Sequence, residues 1–529
     1  MASSSQANGS PYSPVLETSR IFSSLLSFSS SHNEIYFPIP FKETETLAAL
    51  KGTEGSVAAA IADLRFGPGS QPRGVRVSLE AATAFGCQAY MAKLDGLSKL
   101  DPAVKSKLKA NLYKTKNPEE FYHIHGSLEA TSTLNMIGLE GHRPDLTDYE
   151  EIIKVIEAKV QEYSISELEA MNKERRQAGV PALKYEDFIK TPHGKISPTP
   201  FPATSSDNKR ILEGVKVLEM CRIIAGPTVT RILAEYGADV LKVTSPNLSD
   251  VPFFQVDGNM GKHAADLDLK TDAGRQEFEK LLADVDVIVD GYRPDALEKL
   301  GYGPKAMAAM AEKRGKGIVY VNENCFGYEG EWAGRAGWQQ IADCVTGIAW
   351  AQGQFMGLST PVVPPFPISD YGTGCMGAIA ALSGLYHRAK SGGSYHGKTS
   401  LMHYDLLLFA MGQYSPEVQA QLRATQPPEF FKLRHCDSVD RISSTVLKGM
   451  QARFPHLYTP AGSQSEEGRG SLTERWSSRA YGADVEVARP VAVIEGVDNQ
   501  FVRASRPNGT DRASWEDFLV EEDGDLRKC

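Results

Sequence analysis

The run Pro367-Ile-Ser-Asp370-Tyr-Gly372-Thr-Gly374-Cys-Met-Gly377-Ala-Ile-Ala-Ala-Leu382 sets one carboxylate just ahead of a small-residue stretch. An Asp at the mouth of a glycine-loosened turn before a helix is expected to stay ionised beside the helix N-terminus. The free N–H groups there also suit a negative oxygen. Such a carboxylate can attack an acyl carbon, with N–H donors close by for the developing oxyanion. Asp is also a favoured helix cap with no chemistry, so the rest of the chain has to decide. Gly372, Gly374 and Gly377 also match G-x-G-x-x-G. The dinucleotide fingerprint needs a buried strand before it and an acidic residue about 20 positions after it. Here a Pro-broken segment, Pro361-Val-Val-Pro-Pro-Phe-Pro367, comes first, and the next acidic residue is Asp405. Prolines of that density exclude a central strand, so the glycines are not read as a nucleotide site.

The elements that must carry Asp370 are legible from Gly214 onwards. Gly214-Val-Lys-Val-Leu-Glu219 reads as a strand, and Ala225-Gly-Pro227 opens a helix through Glu235. Pro sits there near a helix start, where its missing N–H costs nothing. Strands at 237–243, 286–290 and 317–322 alternate with helices at 271–282 and 304–314. Alternation of this kind predicts an α/β fold: a Rossmann-like parallel sheet with helices on both faces and ligands at the strands' carboxyl ends.

The N-terminal half is mixed. Residues 1–32 are Ser-rich and read as disordered. A strand at Arg73–Leu79 leads into a helix from Glu80 to Leu94, and Phe121-Tyr-His-Ile-His125 alternates as a strand does. Helical periodicity covers 147–163 and 165–177. The Pro/Ser-rich run 196–209 reads as a linker. Gly74-Val-Arg-Val-Ser-Leu-Glu-Ala81 echoes Gly397-Lys-Thr-Ser-Leu-Met-His-Tyr404, a hint of partial duplication.

The chain of 529 residues has a formal net charge of −9 and seven cysteines without a C-x-x-C pair. The charge argues against general affinity for nucleic acid or an anionic membrane. Scattered, odd-numbered cysteines indicate reduced thiols and no zinc site. No apolar run is long enough for a membrane span. The start lacks the basic and apolar regions of a secretory signal, which makes the cytoplasm the expected compartment.

From about Leu212 to Met411 the chain resembles family III CoA-transferases, the CaiB/BaiF family. The motifs are Leu212-Glu-Gly-Val-Lys-Val-Leu-Glu, Ile224-Ala-Gly-Pro227, Leu233-Ala-Glu-Tyr-Gly-Ala-Asp-Val-Leu-Lys-Val243, Asp266-Leu-Asp-Leu-Lys-Thr271, Gly291-Tyr-Arg-Pro-Asp-Ala-Leu-Glu-Lys-Leu-Gly301, Phe326-Gly-Tyr-Glu-Gly330 and Ser369-Asp370-Tyr-Gly-Thr-Gly374, in the family's order. Residues 116–195 resemble the family's small α+β domain, displaced to a position before the catalytic Asp. Val487–Val497 resembles a returning segment that completes the large domain. The implied organisation is a partial N-terminal repeat at 33–115, the small domain at 116–195, a CoA-binding catalytic domain at 210–413 and a C-terminal extension at 414–529.

The resemblance implies that Asp370 is the covalent nucleophile of a CoA transfer between an acyl-CoA and a carboxylic acid, in a homodimer and without a metal. It places Ile224 and Ala225 at the CoA end, Lys262, Arg293 and Lys299 at the CoA phosphates, and Tyr292 at the adenine. Arg and Lys suit phosphate by charge and donor geometry. His263, Thr244, Ser245 and Gly291 depart from the family's pattern around these contacts. Two other functions compete. An α-methylacyl-CoA racemase of this fold would need a His after Ala336-Gly337, where this chain has Trp338, and Trp cannot exchange a proton at neutral pH. A non-catalytic CoA-binding protein would bind CoA without labelling Asp370.

Overall fold

The computed structural model describes residues 26–30, 34–67, 73–98, 110–125, 130–141, 148–175, 177–184, 210–459, 471–519 and 526–528. The linker expected at 196–209 and most of the Ser-rich start lie outside these residues.

The large domain is a six-stranded parallel sheet. Its strands are β1 Lys216–Met220, β2 Asp239–Thr244, β3 His263–Asp266, β4 Val287–Asp290, β5 Val319–Asn324 and β6 Tyr395–Ser400. They lie in the order β3-β2-β1-β4-β5-β6, all neighbours parallel. The order reverses between β1 and β4, and such a switch opens a crevice at the strands' carboxyl ends. Val217, Val240, Val287, Val289 and Val321 are fully buried, as expected of parallel strands covered on both faces. The expected strands and helices of this half all form, with ends moved by one or two residues.

Four helices matter for the site: α1 Glu43–Phe66, α2 Ala225–Glu235, α3 Ile368–Ser391 and α4 Leu401–Met411. α3 begins before Asp370, so the three glycines stand inside a helix and not in a turn. Close packing explains them. A Cβ on Gly374 would lie 2.5 Å from Thr228 of α2, and one on Gly377 would lie 2.6 Å from Val229. On Gly372 it would lie 2.0 Å from the Tyr404 ring of α4. Tyr404 is fully buried and donates to Glu43 Oε2 of α1 at 2.8 Å, so its ring has no room to retreat. Gly372→Ala is therefore expected to destabilise the fold by about 3 kcal/mol, the upper range for overpacking, and a urea titration measures it.

The N-terminal half contributes two units. A three-stranded antiparallel sheet of Ala110–Lys114, Phe121–His125 and Ala178–Pro181 carries the helices Tyr149–Val160 and Ile165–Arg175. It has its own core around Tyr122, Ile124, Ile156 and Leu168. The unit is α+β in make-up, and its first strand precedes residue 116. The unit docks on the helix Gln339–Thr346, where Leu183 N donates to Cys344 O at 3.0 Å.

The echo between residues 74–81 and 397–404 corresponds to two similar strand-to-helix joins. Val75–Ser78 runs into a helix capped by the Ser78 hydroxyl, and β6 runs into α4 capped by Ser400. Each join is preceded by a helix of 24 residues, α1 or α3, and the two long helices pack together. The expected helix Glu80–Leu94 is shorter and broken at Cys87. Leu26–Ser29, within the start expected to be disordered, pairs in parallel with Val75–Ser78. Ala492–Ile494 pairs with Val75–Ser78 from the other side. The returning segment thus pairs through Val487 and Ala488 with Thr473–Ser478 and through Ala492–Ile494 with this small sheet, and joins no strand of the large one. It still reaches the large domain, because Ala488 O accepts from Arg231 of α2 at 2.7 Å.

Candidate active site

Asp370 occupies the first turn of α3, after Pro367 at the helix entry. Its carboxylate accepts no hydrogen bond among the described residues and faces a cavity of 430 Å³. Burial pushes the carboxyl well above the usual carboxylate range, and the charges of Glu323 and Asp343 push the same way. The ionised, N-terminus-stabilised carboxylate expected from sequence is thus corrected. In this setting the helix end is outweighed by desolvation and neighbouring acids.

A buried acidic cluster lies behind it. Ser369 Oγ donates to Asp343 Oδ1 at 2.8 Å, and Gln339 also donates to Asp343. Asp405 belongs to the same cluster: its Oδ2 accepts from Thr346 at 2.9 Å, and its Oδ1 has no hydrogen-bond partner among the described residues. Burial raises Asp343 and Glu43 each to about 8, and raises Asp405 as well. The folded chain therefore holds protons that the unfolded chain releases from about pH 4 upward. The sign follows: the stability these groups contribute is full below about pH 4 and declines as pH rises towards about 8. Thermal melts across that range are expected to show a falling Tm.

The opposite wall comes from the loop between β1 and α2. Ile223 adopts φ +74°, a left-handed conformation that a β-branched residue resists at a cost of about 1–3 kcal/mol. That twist turns Ile224 and Ala225, at the α2 N-terminus, into the cavity. Phe366, just before the Asp370 turn, is strained likewise at φ +61°, and its N–H donates to Ser443 Oγ at 2.9 Å. Strain on both sides of a cavity marks segments held in place by their surroundings. No sequence signal announces either residue.

Tyr292 and Arg293 follow β4 and line the same cavity. Arg222 stands with its guanidinium 5.8 Å from the Tyr292 ring centre. Five of the seven expected site residues thus meet around one space: Asp370, Ile224, Ala225, Tyr292 and Arg293. Lys262 does not. It is fully buried, donating to Glu219 Oε2 at 2.7 Å and to Pro227 O at 2.8 Å. An ammonium enclosed this way supports the start of α2 from behind and presents nothing to a phosphate. Lys299 is also misplaced. It does not line the cavity and pairs with Asp295 at the surface, its side chain 73% exposed.

Trp338 also lines the cavity, but sequence reasoning missed most of the remaining lining. Tyr90, His125 and Gln177 come from the N-terminal half, and Asp440 from the C-terminal extension. His125 stacks on Trp338, with ring centres 5.5 Å apart. Burial lowers its imidazole to about 4, partly opposed by a hydrogen bond with Gln340. The alternation at 121–125 revealed a strand, but only the tertiary fold brings it to residue 338.

A profile of CoA-transferase family III matches residues 212–432. The acetyl-coenzyme A transferase nodX of Hypoxylon pulicicidum is 31% identical over 92% of this chain and 87% of its own length. This chain belongs to CoA-transferase family III. An acyl-CoA transferase of Gibberella moniliformis is 32% identical over 70% of this chain and 71% of its own length. A solved CAIB/BAIF family protein from Brucella suis is 26% identical over 41% of this chain and 58% of its own, with a TM-score of 0.32. The protein is thus an enzyme of the family III CoA-transferases, and acyl-CoA is the substrate class the family implies. The G-x-G-x-x-G run of this CoA-transferase serves helix packing.

Proposed function

We propose that the enzyme moves CoA between an acyl-CoA donor and a carboxylic acid acceptor through covalent intermediates on Asp370. The observation that carries this reading is an unbonded carboxyl facing a cavity walled by a helix N-terminus and three arginines, Arg222, Arg293 and Arg335. Asp370 releases its proton to solvent and attacks the thioester carbon as the carboxylate, a C–O bond forms, and the C–S bond breaks with its electron pair leaving on sulfur. The thiolate then attacks the aspartyl carbonyl, which releases the donor acid and leaves an aspartyl-CoA thioester. An acceptor carboxylate runs the two steps in reverse. Splitting the exchange avoids a direct attack of one acid on the other's thioester.

The environment of Asp370 favours its covalent states. Acylation converts a destabilised anion into a neutral group beside Glu323 and Asp343. Burial favours the protonated acid, so forming the anion is a cost of the reaction, and the poorly stabilised carboxylate so formed is the more reactive nucleophile. Ala225 and its neighbours at the α2 N-terminus are suited to the oxyanion, and Arg293, Arg222 and Tyr292 to the CoA body. Lys262 is assigned to support of α2, and Lys299 has no part in this proposal.

A racemase-like reading gains one observation, since His125 shares the cavity with Asp370. With its imidazole held near 4, His125 carries no proton to deliver at neutral pH. Incubation with a 2-methylacyl-CoA in D2O separates the readings, and CoA transfer without α-deuteration is expected. The principal test is intact mass after mixing with a panel of acyl-CoAs, with and without hydroxylamine. A hydroxylamine-sensitive acyl or CoA adduct on Asp370 supports the transferase. CoA binding without any adduct refutes it in favour of a non-catalytic binder.

A homodimer belongs to the same proposal, although the N-terminal half already supplies cavity walls within one chain. Light scattering at twice the chain mass would support it. A cytoplasmic setting is supported by six described cysteines that are all free and buried. Among the described residues no helix is long and apolar enough to cross a membrane.

A further inference from the structure

Glu323 lies near the carboxyl end of β5, at the crevice of the large sheet, and lines the same cavity as Asp370. It is 9% exposed, and among the described residues its carboxyl has neither a hydrogen-bond partner nor a cation. A buried acid left without a partner is costly, and it is retained where something else uses it. The surrounding backbone is cut to admit it. A Cβ on Gly291 would stand 3.0 Å from Glu323 Oε2 and 3.1 Å from Cys221 Sγ. The glycine at 291 thus clears the space that the carboxyl occupies.

The titratable groups facing Glu323 are Cys221 at the end of β1, Asp290 at the end of β4, Cys325 and Tyr328 beyond β5, and Asp370 of α3. None of them is a cation. Burial, reinforced by Asp290, holds the Glu323 carboxyl up at about 8, so it keeps its proton at neutral pH. A neutral carboxyl is a hydrogen-bond donor, whereas its anion would repel the charge that CoA transfer creates.

We propose that Glu323 is a second catalytic acid of this cavity, donating a hydrogen bond to the negative charge that develops on the thioester as Asp370 attacks. The proton stays on Glu323 throughout, so the step adds no proton to the balance of the exchange. This inference rests on the transferase reading, but its test does not require Asp370 to be the group acylated.

Transfer rates are measured against pH for the wild type, Glu323→Gln and Glu323→Ala, with thermal melts of each. The amide keeps shape and donor without titrating. Glu323→Gln is expected to turn over within about threefold of the wild type at pH 7, and Glu323→Ala to lose about a hundredfold in kcat. One pH unit above its pKa the wild type is expected to fall about tenfold from its plateau, while Glu323→Gln stays level. A shared alkaline fall in wild type and Glu323→Gln would overturn the proposal, as would an Ala variant as fast as the wild type. If Glu323→Ala does not fold, the alkaline limb of Glu323→Gln decides alone. Absence of an Asp370 adduct in the wild type would count against the covalent route only, since the alkaline limb of transfer is read whichever group carries the intermediate.

Discussion

Asp370→Asn is expected to cost the enzyme at least about four orders of magnitude in turnover while making its fold more stable. The amide has the shape of the acid but is a poor nucleophile, so no aspartyl adduct can form at that position. The gain in stability follows from the surroundings. Asp370 is pushed well above its ordinary range by burial and by Glu323 and Asp343, which means that its anion destabilises the folded chain. A neutral side chain of the same size removes that penalty. Steady-state transfer and a thermal melt at pH 8, measured on the same preparations, check both halves. A variant retaining more than about 1% of the rate would remove Asp370 from the chemistry. Lost activity together with a lowered Tm would instead mean that the acid was structural.

Lys262→Ala has the second largest expected effect, on stability alone. Glu219 lies fully buried between two ammonium groups, Lys262 at 2.7 Å and Lys242 at 3.4 Å, and accepts from Thr230 at 2.6 Å. Burial alone would raise its carboxyl, yet the two lysines together carry it below the ordinary value. Removing one partner of such a pair leaves a buried charge under-compensated, which costs about 3–5 kcal/mol. Lys242 remains to neutralise part of the charge, so the lower end of that range is expected. A urea titration measures the loss. The KM of the folded variant for acyl-CoA is expected to stay within about twofold of the wild type. A raised KM with unchanged stability would return Lys262 to the phosphate role that sequence motifs suggest.

Lys262 shows where sequence reading stops. Alternating apolar strands and helices announced the large sheet, because parallel strands buried on both faces write themselves as short apolar runs such as Val287-Ile-Val289. The ordered motifs also pointed to Asp370, Arg293 and the α2 start, and these line one cavity. Whether a cation faces ligand or core is decided by tertiary position. Lys262 and Arg293 look alike as basic residues near strand ends, and only packing separates them. The glycines of α3 misled in the same way. Their spacing suggested a loosened turn, whereas a helix can keep glycine where another helix or a ring presses on it, as Tyr404 presses on Gly372. Tyr90, His125 and Asp440 reach the site from segments far from residue 370, and local patterns carry no record of that.

The small sheet that joins Val75–Ser78 to Ala492–Ile494 sets the timetable of biosynthesis. A ribosome emits residue 75 more than four hundred residues before its partner strand, and Arg231 waits over two hundred and fifty for Ala488. Closing contacts so remote is slow, and the wait exposes surface that the finished molecule hides. Until its last stretch emerges, the nascent polypeptide holds a fully buried guanidinium site and an unpaired strand edge open to other chains. Heterologous expression should therefore respond to chaperone supply and to translation speed more sharply than the mature protein's stability would suggest.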